Sequence, residues 1–411
     1  MDEKPPRNLR AMLSEAKDTS ELMVDLAYAA LFFGDLAMAE EVVELDERLD
    51  GLVHEMREVC ILAARSPHDA EQMSSVLHVI SAMEQIGNAA VDVAQIVTHR
   101  LGIPAALVAD LAEAEEVSHR VRVRESSELA GRALADAELP VEVGMRVVAI
   151  RRGKEWIIDP DGDEVMVPDD ILILRGPAEG IAELRALAGA PEWRPPSVEE
   201  DPTITDLDRA VDVLVEMKNI SEVGVGLAYS ALLFYDQSLA AEVSHLEDRL
   251  DEMRERLELW VLRAAAERID PSPLRGLLHL GSSSEEIGDA ARQMVWLVEQ
   301  NEEVHPVLAL ALGDTDEVIA RVPVRAGSQL DGTTLHDAKI ELETGLYVLA
   351  IRRAGRYIYR PRGHVRLEAG DELIATGPDE GRDRLAELAG YRVLEDDDTG
   401  EIELVPTSDT R

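Results

Sequence analysis

The spacing of apolar residues divides the chain into two alternating kinds of segment. Leu22, Leu26 and Ala29 or Ala30 keep the i, i+4, i+7 spacing of an amphipathic helix, which predicts a helix beginning near Thr19. The same criterion predicts a second helix from near Ala39 to Arg65, a third from about Ala70 to Arg100, and a short fourth after Pro104. Ser66-Pro67 ends the second, because proline disfavours helix at the residue before it, and Gly102 stops the third. Long helices joined by short connections predict an antiparallel bundle. The period then drops towards two. His119 to Arg124 alternates like a strand, Glu128 to Glu138 reads as a short helix, and four β-rich runs follow at 143–150, 155–158, 164–167 and 171–174. Gly153, Pro160, Gly162, Pro168 and Gly176 punctuate them, and a helix from Ala178 to Ala188 closes the segment.

The whole pattern then recurs at an offset of 201 residues. Lys17, Glu21, Tyr28 and Asp35 return as Lys218, Glu222, Tyr229 and Asp236; Arg151, Arg152 and Gly176 return as Arg352, Arg353 and Gly377. The offset is the same at both ends, so one helical and one strand-rich module were duplicated together. The expected fold class is α+β in two tandem repeats. The expected boundaries are 1–116 for the first bundle, 117–190 for the first strand-rich domain, 191–205 for a Pro and acidic linker, 206–316 and 317–392 for the second pair, and 393–411 for an acidic, disordered tail.

Composition narrows the setting. There are 41 Lys and Arg against 83 Asp and Glu, a net charge of −42, and Lys stands only at 4, 17, 154, 218 and 339. This balance repels nucleic acid and anionic membrane surfaces. It suits a salt-rich cytoplasm, so a halophilic source is expected. A single cysteine, Cys60, excludes an internal disulfide and points to a reducing compartment. No apolar run approaches the ~20 residues that span a bilayer, and the first residues lack a signal-peptide core. The expectation is a cytoplasmic protein without membrane insertion.

Two segments in each helical module carry a family likeness. One is Asp46-Glu47-Arg48-Leu49-Asp50, repeated as Glu247-Asp248-Arg249-Leu250-Asp251; the other is Glu84-Gln85-Ile86-Gly87-Asn88, repeated as Glu285-Glu286-Ile287-Gly288-Asp289. They resemble the PhoU family, a three-helix bundle half. In the strand-rich module, Gly131 to Leu134 and Gly332 to Leu335 look like the first-helix pattern of the TrkA-C family, 147–153 looks like its central strand, and Gly370-Asp371 with Gly377-Pro378 looks like its closing strand. Asp169-Asp170 departs from the Gly-Asp usual there. The alternation resembles an archaeal class of proteins linked to cation transport. It implies a regulator of a membrane potassium or other cation channel or transporter, with a TrkA-C-like module that dimerises and binds anionic ligands such as cyclic di-AMP. Alternatives are a phosphate-signalling adaptor and a regulator of a magnesium transporter.

The candidate chemistry lies on both modules. Asp46 and Asp50 project from one helix face with Glu84 on the next helix; Glu247, Asp251, Glu285 and Asp289 are their counterparts. Carboxylates converging from two helices make a hard-cation site, and the PhoU likeness implies metal there; the bland alternative is a solvated acidic face. The second set is the better candidate, because Asn88 weakens the first. His78 and His279 recur on the third helix and read as half-buried residues before ligands. Arg151, Arg152, Arg352 and Arg353 could grip a phosphate bidentately, or pair with neighbouring acids. Gly224-Val225-Gly226 lies within a helix and lacks a third glycine, so no dinucleotide loop is expected. No catalytic constellation is present, which predicts a non-enzymatic protein.

Overall fold

The computed structural model describes residues 8–112, 114, 116–194, 205–266, 272–395 and 402–407. The first repeat opens with helices α1 (Leu9–Phe33), α2 (Leu36–Ala63), α3 (Pro67–Thr98) and α4 (Ala105–Leu111). Side chains close their ends: Asp35 caps α2 from its N-terminus, and Ser66 accepts from the Asp69 N–H at 3.1 Å with Pro67 as the first residue of α3. The strand module follows as β1 (Val117–Arg122), α5 (Leu134–Ala137), α6 (Leu139–Val143), β2 (Arg146–Arg152), β3 (Glu155–Ile158), β4 (Ile171–Gly176) and α7 (Ile181–Leu187). The second repeat gives α8 (Asp206–Phe234), α9 (Gln237–Ala266), α10 (Ser272–Glu299), α11 (Pro306–Leu312), β5 (Glu317–Pro323), α12 (Leu335–Ala338), α13 (Ile340–Thr344), β6 (Tyr347–Arg353), β7 (Arg356–Tyr359), β8 (Glu372–Pro378) and α14 (Glu380–Ala389). Strands β9 (Tyr391–Glu395) and β10 (Ile402–Pro406) then form an antiparallel pair.

The chain folds into two compact units that group the modules by type, not by repeat. One comprises Met1–Glu115 with Pro195–Thr315, the other Glu116–Arg194 with Asp316–Arg411.

In the helical unit, each bundle is tightened by its two recurrent sequence segments. A Cβ on Gly87 would sit 2.5 Å from Leu49 Cδ2, and one on Gly288 would collide with Leu250. Glycine on the third helix therefore admits the leucine of the second, and the helices approach closely. The bundles join through α3 and α10. A Cβ on Gly276 would strike the Gly102 carbonyl, and at the other end the His305 N–H donates to Ser75 Oγ at 3.2 Å, so α3 and α10 run antiparallel. The short fourth helices exchange places: α4 lies against α8, and α11 against α1. Asp314, just beyond α11, pairs with Arg10, and its carbonyl accepts from Ser14 Oγ at 3.0 Å.

In the other unit each module is a four-stranded antiparallel sheet, ordered β1-β4-β2-β3 and β5-β8-β6-β7. Both carry a register shift at the same place, between Val147 and Ala149 and between Val348 and Ala350. One face of each sheet packs on its own helices, through Val121, Ile150, Leu172 and Leu184 in the first and Val322, Ile351, Leu373 and Leu385 in the second. The paired residues Ala149 and Ile173, and likewise Ala350 and Ile374, are fully buried on the opposite face. Helices α6 and α13 pack together, and a Cβ on Gly144 would lie 2.9 Å from Leu342 Cα.

Five expectations change. The first helix starts at Leu9, ten residues before the expected Thr19, where the Asn8 side chain accepts from the Ala11 N–H at 2.8 Å. Only Leu134–Ala137 of the predicted helix at 128–138 is helical, because Glu138 takes a left-handed φ of 47° and turns the chain into α6. Val143 belongs to α6, so the central strand starts at Arg146, after Gly144 at φ 71°. The run at 164–167 makes only one bridge, Ala133 to Val165. The predicted disordered tail contains β10, whose Leu404 packs on the second core; most of the linker from 191 to 205 lies outside the described residues.

Asp169 keeps the turn that its departure from Gly-Asp threatened. It adopts φ 72° where Gly370 has 91°, and Asp170 and Asp371 behind them are both buried. A non-glycine residue in this region is strained, although Asp tolerates it better than most. Asp169→Gly should therefore raise stability by about 0.5–1 kcal/mol, and Gly370→Asp should lower it by a similar amount. Urea unfolding of the two variants measures this; equal midpoints would contradict it.

Candidate functional site

The acidic helix faces form, but arginines share them. In the first bundle Asp46 is half-buried, Asp50 is exposed, and Glu84 on α3 accepts from Arg57 on α2 at 2.5 and 3.3 Å. Burial pushes the Asp46 carboxyl up, and Asp50, Glu84 and Glu47 add to the shift. In the second bundle Glu247 is buried and pairs with Arg292 of α10, while Arg254 of α9 lies 3.5 Å from Glu285. Burial pushes Glu247 up despite Arg292, and a hydrogen bond with Asp289 adds to this. Glu285 is pushed up to about 7, first by burial, against the pull of Arg254 and with help from Asp289 and a hydrogen bond to Asp251.

The four acids of the second bundle thus meet as carboxyl pairs. Among the described residues, no group of three or more His, Cys, Asp or Glu side chains is arranged to hold a metal ion. A hard cation needs several oxygens converging on one point, and here guanidinium groups supply the positive charge instead. His78 has its Nδ1 2.8 Å from the Ser74 carbonyl, and its ring stacks on Trp296 with centroids 5.8 Å apart. The compensating arginines escaped sequence reasoning because none recurs: positions 258, 53 and 91 correspond to Arg57, Arg254 and Arg292 and hold Glu, Val and Val.

The arginine pairs divide by role. Arg152 forks onto Asp170 at 3.0 and 2.8 Å, reaches Glu164 at 2.9 Å, and donates to the Val165 carbonyl. Arg353 repeats this on Asp371, with both bonds at 2.7 Å, and on Glu368 and the Arg366 carbonyl. The two aspartates are 1% exposed, and each also accepts a backbone N–H, from Val167 or Glu368. These bidentate pairs tie β2 and β6 to the turn before the closing strand, so Arg152 and Arg353 are committed to the fold. Arg151 lies over the Trp156 ring at 5.7 Å, and Arg352 pairs with Glu372 at 2.9 Å. Both stand near the ends of β2 and β6 that lead into the hairpins to β3 and β7.

Sequence reasoning also missed Arg146. It holds Asp159 at 2.9 Å within its own module and Glu317 of the second module at 3.1 Å. Its counterpart is Tyr347 and that of Asp159 is Arg360, so the offset gave no signal. Burial raises the Asp159 carboxyl, Arg146 opposes this, and Asp316 adds to it.

A TrkA-C domain model matches residues 119–189 and 319–390, and a PhoU domain model matches 13–97 and 214–298. A curated relative, the Ktr system potassium uptake protein C of Bacillus subtilis (strain 168), is 39% identical over 75 residues, 18% of this chain and 34% of that protein. The match thus spans about a third of that relative's length. Among solved structures, PhoU from Pseudomonas aeruginosa aligns at 18% identity and a TM-score of 0.39 over 71% of this chain and 93% of its own. The GsuK RCK domain aligns at 14% and 0.18 over 70% of each chain. No helix of the described residues is long and apolar enough to cross a membrane.

The raised Glu285 gives a pH signature. Its folded pKa lies above the ordinary carboxylate value, so the folded state binds the proton more tightly than the unfolded chain. Its contribution to stability is present below about pH 4.5 and is lost as pH rises through about 7. Glu285→Gln should therefore gain stability over wild type at pH 7.5 and lose that advantage near pH 4.5. Melting temperatures across this range test it, and a difference independent of pH would overturn the assignment.

Proposed function

This chain belongs to the proteins that carry PhoU and TrkA-C domains in tandem, and on that premise we propose that it regulates a membrane cation transporter, with potassium as the transported ion. The observation that carries this reading is the pair of TrkA-C matches together with the similarity to a potassium uptake protein. Both matched families are regulatory, non-catalytic domains, which supports a binding protein and not an enzyme.

In this reading the strand unit is the sensor. Two TrkA-C modules of one chain pack together through α6 and α13 and supply both halves of a ligand site without a second chain. The ligand is anionic, and cyclic di-AMP is the first to try. Of the four arginines, Arg151 and Arg352 are the first to test, because their own partners, the Trp156 ring and Glu372, are partly exposed, whereas Arg152 and Arg353 fork onto buried aspartates. Binding shifts the packing of the two modules, and the transporter reads that shift. The bundles act as the rigid partner; their acids are balanced by arginine and take no metal in this scheme.

Rubidium uptake by cells with and without the chain tests the regulatory role. Uptake should change by several-fold when the chain is removed, with phosphate uptake unaffected. A change confined to phosphate uptake would instead support a phosphate-signalling adaptor. Calorimetry tests the ligand separately: cyclic di-AMP should bind the wild type, and Arg151→Ala/Arg352→Ala should weaken it at least about tenfold. No heat over a wide salt range would remove the nucleotide while leaving the regulatory reading intact.

A further inference from the structure

The two strand modules present opposite charge on one equivalent surface. Strands β3 and β7 each stand last in their sheet, so each leaves one edge without a partner strand among the described residues. In the first module the edge strand and the loop after it carry Glu155, Asp161 and Asp163, with Glu138 nearby at the junction of α5 and α6. The 201-residue offset turns these four into Arg356, Arg362, His364 and Lys339. Arg366 likewise stands for Val165, and His336 for Ala135; Lys154, matched by Gly355, and Arg132, matched by Thr333, run the other way.

These residues are exposed in both modules. They are also neighbours in space. The Ala135 N–H donates to the Gly162 carbonyl at 2.8 Å and the His336 N–H to the Gly363 carbonyl at 2.9 Å, which holds the short helix beside the charged loop in each copy. A chain with a net charge of −42 has thus gathered four cations and two histidines on one sheet edge, at positions where its duplicate is acidic or neutral.

Charge at an open sheet edge ordinarily guards against edge-to-edge pairing. Here it guards selectively. A β3 edge repels another β3 edge, and β7 repels β7, but β3 and β7 surfaces attract. We propose that the basic β7 surface of one chain docks on the acidic β3 surface of a second copy. Such a contact is heterologous: each one leaves a further surface of either sign on the pair, so contacts can continue into rings or strings of chains. Complementary charge fixes which surfaces meet and speeds their encounter, and added salt weakens the attraction.

Sedimentation velocity on the full chain at moderate salt, over a wide concentration range, tests this. The wild type should form species larger than a monomer as concentration rises. Arg356→Glu/Arg362→Glu cancels the positive charge of the β7 surface, and Glu155→Arg/Asp161→Arg cancels the negative charge of the β3 surface; each alone should associate at least about tenfold more weakly. Mixing the two variants should recover association, because one keeps the native basic surface and the other the native acidic one. Circular dichroism confirms that these exposed substitutions leave the fold intact. A wild type that stays monomeric throughout overturns the proposal. So does association that survives both variants, or that fails to return on mixing.

Discussion

Two buried lysines hold the helical unit together, and each does so across the repeat boundary. Lys17 of α1 is 1% exposed; it pairs with Glu21 at 2.5 Å and lies 5.4 Å above the ring of Tyr229, which belongs to the other bundle. Lys218 of α8 repeats this with Glu222 at 2.7 Å and the ring of Tyr28 at 5.3 Å. Removing an ammonium from water costs several kcal/mol, and nearby carboxylates and the facing ring offset part of it. Part of what steadies each lysine thus comes from the tyrosine of the opposite bundle. Tyr28 adds a contact with Ser284 at 3.3 Å, and burial drives the Tyr229 hydroxyl well above its usual pKa. Parting the bundles would give up both ring contacts in exchange for rehydrating the two ammonium groups.

The strand unit follows the same logic with other groups. The sheets bury residues on both faces, the helix pair α6 and α13 brings the modules together, and Arg146 ties Asp159 to Glu317 across the repeats. Duplication has placed inside one chain the association that two separate TrkA-C modules would need to find by diffusion. A module so paired is free to diverge from its copy. Asp159 against Arg360 and Glu155 against Arg356 are the result, two modules of unlike charge.

Helices, repeats and both module types were legible because they depend on local spacing. The offset also flagged Lys17, Glu21 and Tyr28, yet not their purpose, since a lysine on a helix reads as solvent-facing until its partner from another domain is seen. The glycine and leucine in the two recurrent helical segments were legible as a likeness; their physical meaning is the close approach of Leu49 to Gly87 and of Leu250 to Gly288. The acidic faces were read correctly as faces. What they do was hidden, because Arg57, Arg254 and Arg292 occupy unrelated positions in the two copies. For Arg152 and Arg353 a phosphate grip and pairing with acids both stood open, because the aspartates they fork onto, Asp170 and Asp371, lie 18 residues away across a turn.

The reciprocal lysine anchors are the claim on which the packing by type rests, and a double-mutant cycle between Lys17 and Tyr229 addresses them most directly. Lys17→Met, Tyr229→Leu and the double variant would be compared by equilibrium unfolding. Direct contact across the repeats predicts a coupling of about 1–2 kcal/mol between the two sites. Additivity within about 0.5 kcal/mol would mean that the lysine and the tyrosine do not meet, and the crossed arrangement of bundles would be wrong.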